Sequence, residues 1–341
     1  MESSQTRAAF IMPVKIPGSE TELRFLREAV DSIKRQTDGD WVLIMVDDCS
    51  DDARVDAALA EIKNELGDRA ELIRLAENVG AGQARNVGIR RAAELGAPFL
   101  LYNDADDISD PRRLELVRKA FADETVNVVY TSFDVVDENG TVRPQESLSM
   151  SIQEILDGHK QDVVEGENAW VQIATRKNYT NQTSSTAVRT ALAVKEPFPK
   201  RSVSEDSHTW MRYGAHPGKF VFLPEIKNRY RICTNVASRS RGLNADFYEQ
   251  KAATDTAGFE AAMKLAERFG GIKPEEENDV RRAFYVRLAL ALLHGDADVL
   301  AEKQLRFAVE LSQEKALVDI EQLPCGETDK RTLREMAERA G

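Results

Sequence analysis

Across residues 8–121, short apolar runs alternate with stretches whose apolar residues recur at helical spacing, a rhythm that points to a parallel α/β sheet joined by crossover helices. The runs are Ala8 to Val14, Trp41 to Val46, Ala70 to Leu75 and Pro98 to Tyr102, each followed by polar residues or glycine. Between them, Glu22 to Gln36, Arg54 to Leu66 and Gly82 to Leu95 carry the helical pattern, with Leu23, Leu26, Val30 and Ile33 on one stripe of the first.

Ligands of such sheets bind beyond the carboxyl ends of the strands, so the residues that follow each run matter most. The second run leads into Asp47-Asp48-Cys49-Ser50-Asp51, the third into Glu77-Asn78-Val79-Gly80, and the fourth into Asn103-Asp104-Ala105-Asp106-Asp107. Carboxylates gathered this closely repel one another unless a cation or donor groups offset them. Mn2+ or Mg2+ held by one or two carboxylates, with a diphosphate completing its shell, meets that need. A solvated loop capped by Asp110 is the plain alternative. Gly80 and Gly82 before a helix expose backbone N–H groups and Arg85 lies in its first turn, which suits an anion. A tight strand-to-helix turn accounts for the same glycines equally well.

The remaining chain extends this organisation. A helix is expected between Pro111 and Phe121, an apolar alternation from Val126 to Val136, and a turn at Asn139-Gly140. From Asn244 onward the composition shifts to Ala, Glu, Leu and Arg, with helical runs at Asp246 to Phe269, Glu275 to Leu293, Asp298 to Leu311 and Asp329 to Ala340. We therefore expect an α/β domain over 1–243, with halves 1–121 and 122–243, and a helical appendage over 244–341. Phe284, Val286, Leu288, Leu290, Leu292 and Leu293 cover more than one helix face, which suggests a hairpin with the next helix that either serves self-association into a homo-oligomer, holds the acceptor, or simply packs on the preceding domain.

Composition excludes several function classes. The net charge of −12 with no basic stripe argues against nucleic acid as a partner. Three cysteines without metal-ligand spacing leave neither a disulfide framework nor a zinc site. No apolar stretch is long enough for a membrane span and no leader segment is recognisable, so a cytoplasmic location is expected.

The ordered motifs resemble the GT-A fold glycosyltransferases of family 2. The matching elements are Ile11-Met12-Pro13-Val14, then Ser32-Ile33-Lys34-Arg35-Gln36, then Asp47-Asp48-Cys49-Ser50. Asn78, Gly80, Ala84, Arg85, Asn86 and Gly88 follow, and Asp104, Asp106 and Asp107 complete the series. Farther on, Ser204-Glu205-Asp206-Ser207-His208-Thr209-Trp210-Met211-Arg212 is similar to the family's Glu-Asp…Trp…Arg region, with the spacing to the arginine one residue shorter. Tyr230-Arg231-Ile232-Cys233 and Ser238-Arg239 resemble the segment after it. Lys15-Ile16 and Cys233 depart from the commoner residues at their places, and Thr234 or Asn235 could substitute for the latter.

The resemblance implies a mixed GT-A sheet and an inverting transfer from a nucleotide-diphosphate sugar, a UDP-sugar by preference, to an unidentified acceptor. Pro13, Val14, Asp47, Asp48, Asn78, Gly80, Arg85, Asp104 and Arg231 fall on the donor side. Asp106 would bind Mn2+ or Mg2+, Asp206 would act as general base, and Glu205, His208 and Trp210 would shape the acceptor or sugar pocket. The competing readings are a nucleotidyltransferase, which expects a glycine-rich basic loop where Lys15-Ile-Pro-Gly stands, and a non-catalytic nucleotide-sugar binding protein, which would not need Asp106 and Asp206.

Overall fold

The computed structural model describes residues 7–176, 181–233 and 246–341. These fall into two compact units that do not follow chain order.

The first unit comprises residues 7–147, 181–202 and 220–233 and is built on a seven-stranded sheet. Its strands are β1 (Ala8–Val14), β2 (Trp41–Asp47), β3 (Ala70–Arg74), β4 (Phe99–Tyr102), β5 (Val126–Val136), β6 (Thr186–Arg189) and β7 (Lys219–Arg231), in the spatial order β3-β2-β1-β4-β6-β5-β7. The β1/β2, β1/β4 and β2/β3 pairs are parallel, whereas β6 runs antiparallel to both β4 and β5, so the sheet is mixed. Every residue of β2 is buried, as expected of a strand covered on both faces.

Helices α1 (Glu20–Lys34), α2 (Ala53–Leu66) and α3 (Ala81–Glu94) connect the parallel strands. Ser19 caps α1 by accepting from the Glu22 N–H, and Asp52 caps α2 by accepting from the Arg54 N–H. The α1 stripe of Leu23, Leu26, Val30 and Ile33 is buried in the core with Phe10, Met12, Leu43 and Met45. Helix α4 (Arg113–Ala120) begins two residues after Pro111, which lies in the preceding turn.

The parallel ladder ends where it can no longer be extended. Asn103 donates to the Ile11 carbonyl, and the next rung between β1 and the chain after β4 would need an N–H from residue 13. Pro13 has none. The chain beyond Tyr102 is thereby released into the acidic loop.

The second unit comprises residues 148–176, 203–219 and 246–341 and is helical. Its helices are α5 (Met150–Gln161), α6 (Ala169–Thr175), α8 (Glu205–Gly214), α9 (Phe247–Phe269), α10 (Pro274–Leu293), α11 (Asp298–Glu321) and α12 (Glu327–Ala340), while α7 (Thr190–Lys195) belongs to the first unit. Phe259 of α9 stacks on Phe284 of α10 with centroids 4.0 Å apart, and Tyr285 meets Phe307 at 5.2 Å across the α10/α11 hairpin.

Helix α11 is broken at Ser312, whose backbone is extended, one residue after the expected end at Leu311, and a second helical stretch runs on to Glu321. Phe284, Val286, Leu288, Leu290 and Leu292 are buried within their own unit. Val299, Phe307, Leu311 and Val318 remain exposed on α11, and the self-association read from the sequence would have to use these. The boundary expected between 243 and 244 lies outside the described residues, as do Thr234, Asn235, Ser238 and Arg239. Among the described residues, no helix is long and apolar enough to cross a membrane.

Candidate active site

Three loops of the first unit meet beyond the carboxyl ends of its parallel strands. Asp47, the last residue of β2, pairs in register with Val14 and accepts from the Ser50 N–H at 3.0 Å. Arg74 lies 3.7 Å from its other oxygen. Asp48 accepts from the N–H groups of Val79 and Gly80 at 2.7 and 2.9 Å, so both of its oxygens shape the loop before α3. Asn78 accepts from the same Gly80 N–H at 3.1 Å. Gly80 has φ +86°, a conformation that side-chain-bearing residues rarely adopt, and this turn delivers α3 with Arg85 facing inward.

Arg85 is buried and donates to Asp104 at 2.7 Å. Its guanidinium also lies 5.5 Å from the centre of the Phe198 ring. The neighbouring Asn86 grips the Phe198 backbone with both ends of its amide, each at 2.9 Å. The acidic loop is held from below: Asn103 donates to the carbonyls of Asp104 and Asp107, and the Asp104 N–H donates to Ser184 Oγ at 2.8 Å.

The three aspartates of the loop differ in environment. Asp107 is buried and accepts from Gln182 and from the Arg231 N–H. Burial, followed by the charges of Asp106 and Asp104, pushes its carboxyl well above the usual carboxylate range. Arg113, fully buried beneath the loop, donates to the carbonyls of Tyr102 and Thr186, and burial pulls its guanidinium down to about 9. Asp104 and Asp106 are partly exposed.

Arg231 is engaged on every side-chain nitrogen. It donates to the Asp106 carbonyl at 2.9 Å, to the carbonyls of Asp137 and Glu138 at 3.3 Å each, and to Glu28 at 2.6 Å. The structure thus makes it a clamp on the backbone of the acidic loop. Ser184 and Phe198 fall in segments, Ser184 to Arg189 and Pro197-Phe198, that share the family resemblance without a stated role, whereas Glu28 and Gln182 carried no signal because their partners Arg231 and Asp107 are 203 and 75 residues away.

The other predicted residues stand in the second unit. Asp206 is the second residue of α8 and accepts from the Ser207 N–H at 2.8 Å. Glu205 and His208 are partly exposed, and His208 Nδ1 accepts from Arg212 at 3.1 Å. Trp210 is fully buried and contacts Tyr213 with ring centroids 5.6 Å apart, as a core side chain of that unit. Cys233, in the first unit, is half-buried.

The donor set around Asp104 and Asp106 is oxygen-only and negatively charged, the chemistry that suits a hard divalent cation. Among the described residues, no group of three or more His, Cys, Asp or Glu side chains forms a complete metal site. A cation here would need oxygens from a ligand, as divalent ions at phosphate sites commonly do.

Residues 20–182 match the sequence model of glycosyl transferase family 2. An uncharacterized glycosyltransferase of Methanocaldococcus jannaschii is 23% identical over 215 residues, 61% of this chain and 66% of the relative. Another, from Nostoc sp., is 32% identical over 124 residues, 36% of this chain and 37% of that protein. The chain thus spans less than two thirds of the length of either. Among solved structures, S. aureus TarS 1-349 in complex with UDP-GlcNAc superposes with a TM-score of 0.56 at 17% identity, covering 97% of this chain and 90% of that one. The mannosyltransferase PcManGT from Pyrobaculum calidifontis, in complex with GDP-Man and Mn2+, gives 0.55 at 18% identity, covering 98% and 84%. At these identities the structural likeness is one of fold. The fold is the GT-A arrangement, and the acidic loop lies beyond the carboxyl ends of its parallel strands. Over residues 20–182 the chain is thus similar to glycosyl transferase family 2.

Proposed function

We propose that this protein transfers a sugar from a nucleotide-diphosphate donor, a UDP-sugar by preference, to an acceptor, with inversion at the anomeric carbon. The observation that carries this reading is the convergence of Val14, Asp47, Arg85, Asp104 and Asp106 at the carboxyl ends of adjoining parallel strands. The structures of TarS with UDP-GlcNAc and PcManGT with GDP-Man and Mn2+ support it through their shared fold.

In this reading Pro13, Val14 and Asp47 hold the base and ribose, with Asp104 near the ribose and oriented by Arg85. Asp48, Asn78 and Gly80 hold the loop that faces the donor. Asp106 would hold Mn2+ or Mg2+, and a bound ion would supply Lewis-acid neutralisation of the leaving diphosphate. Arg231 fixes the Asp106 backbone. Asp206 accepts the proton of the acceptor nucleophile as that atom attacks opposite the diphosphate, while Glu205 and His208 flank the acceptor and Trp210 supports their helix. The catalytic domain is read as residues 1–243.

The test is release of nucleoside diphosphate from a panel of UDP- and GDP-sugars with Mn2+, analysed by mass spectrometry. Turnover of one donor class is expected. Absence of turnover across the panel, together with no binding of UDP or GDP by calorimetry, would overturn the assignment.

A further inference from the structure

Within the second unit, a buried ion pair stands beside the start of α8. Lys251 and Asp255, one turn apart on α9, are 2.7 Å apart with side chains 5% and 3% exposed. Replacing a buried ion pair by apolar residues is often neutral or stabilising, so stability alone is a weak reason for this one. Its geometry supplies another. Lys251 Nζ also reaches Ser204 Oγ at 3.4 Å.

Ser204 is buried and has φ 58° and ψ 24°, the left-handed conformation that disfavours residues with a side chain. Such backbone persists where its surroundings over-determine it, and it clusters at functional sites. The Ser204 carbonyl accepts the His208 N–H at 3.1 Å, so this residue sets the first turn of the helix on which Asp206 lies two positions later. Helix α9 also packs closely here: a Cβ on Gly258 would fall 2.7 Å from His208 Cα.

The network continues away from α8. Asp255 Oδ1 and Arg287 Nη1 have no hydrogen-bond partner among the described residues, and both residues line, with Ser207, a cavity that has room for about one water molecule. Arg287 is anchored beyond the cavity by Glu154 at 3.0 Å and by the Arg176 carbonyl at 3.0 Å.

We propose that Lys251 and Asp255 are positioning residues that hold Ser204, and through it Asp206, in the orientation required for transfer, with one buried water linking Asp255 to Arg287. This inference rests on the reading of Asp206 as the base. Neither residue touches substrate; they act through the backbone at the start of α8.

The experiment uses the full chain carrying Lys251→Met and Asp255→Leu together, which removes both charges and keeps the site apolar. The expected result is donor binding unchanged by calorimetry and a melting temperature at or above that of the parent. At the same time kcat falls by about 10- to 100-fold, the range for a slightly misplaced catalytic group, and hydrogen exchange of the amides from Ser204 to Arg212 accelerates. Lys251→Arg, which keeps the pair, is expected to retain most of kcat. Unchanged kcat in the double variant, alongside an inactive Asp206→Asn, overturns the positioning role while leaving the base in place. Full transfer by Asp206→Asn overturns the base reading and the positioning role with it. Unchanged exchange at Ser204 to Arg212 overturns the brace itself.

Discussion

Arg85 and Asp104 stand 2.7 Å apart, joining the first turn of α3 to the loop after β4 across nineteen positions of sequence. The arginine is almost wholly buried and the aspartate only partly so, and the charge-assisted hydrogen bond between them orients the carboxylate. Arg85→Met and Asp104→Asn should each weaken binding of a nucleoside diphosphate by about tenfold, the scale of one charge-assisted hydrogen bond. The double variant should lose less than the two single losses combined, because both act on one unit. Calorimetry with UDP and GDP measures this, and strictly additive losses would show that the pair is not coupled.

Asp106 has its backbone carbonyl bound by Arg231, and its carboxyl is only partly buried. Asp106→Ala should abolish donor turnover without lowering the melting temperature, and excess chelator should do the same to the parent protein. Restoration by Mn2+ or Mg2+ after dialysis completes the measurement. Full turnover in chelator would remove the metal from the mechanism.

Asp206→Asn preserves shape and the hydrogen bond from Ser207 but cannot accept a proton in the same way. Transfer should fall by at least ~100-fold, the lower range for loss of a general base, while donor affinity stays unchanged. Transfer and donor binding would be measured on one preparation. Unaltered transfer would direct attention to Glu205.

Cys325 offers a pH-dependent readout of packing at the end of α11. Burial, reinforced by the charge of Asp329, pushes its thiol up to about 11. Only the thiolate alkylates, so its labelling by iodoacetamide in the folded protein should be slow at pH 8 and should keep rising with pH until near that value. Unfolding in urea should raise the rate at pH 8. Peptide mapping resolves this site from Cys49 and Cys233, and a labelling plateau below pH 10 would contradict the buried setting.

Strands β1 to β5 were legible because the signals that make them are local, whereas β6 and β7 were not placed from the sequence. Alternation with period two marked β5 over Val126 to Val136, and a stripe at helical spacing marked α1 through Leu23, Leu26, Val30 and Ile33. The helical stretch after the break at Ser312 was not placed from the sequence, although Ala316 and Ile320 stand one turn apart there and are buried. There Arg282 and Lys315 form cross-helix ion pairs with Asp319 and Asp279.

The sequence by itself marked β1 to β5, the crossover helices and the acidic loops at the strand ends, because periodicity and turn chemistry are written along the chain, while the roles expected of Asp47, Asp104, Asp106 and Asp206 came from resemblance to a family. Only the tertiary structure decided which partner each polar group takes. It turned Arg231 into a buried clamp, assigned both oxygens of Asp48 to the Val79 and Gly80 amides, and placed Lys251 beside Ser204. The reason is physical: a buried donor or acceptor must be satisfied by whichever group the fold brings near, and that group can be 203 residues away, as Glu28 is from Arg231.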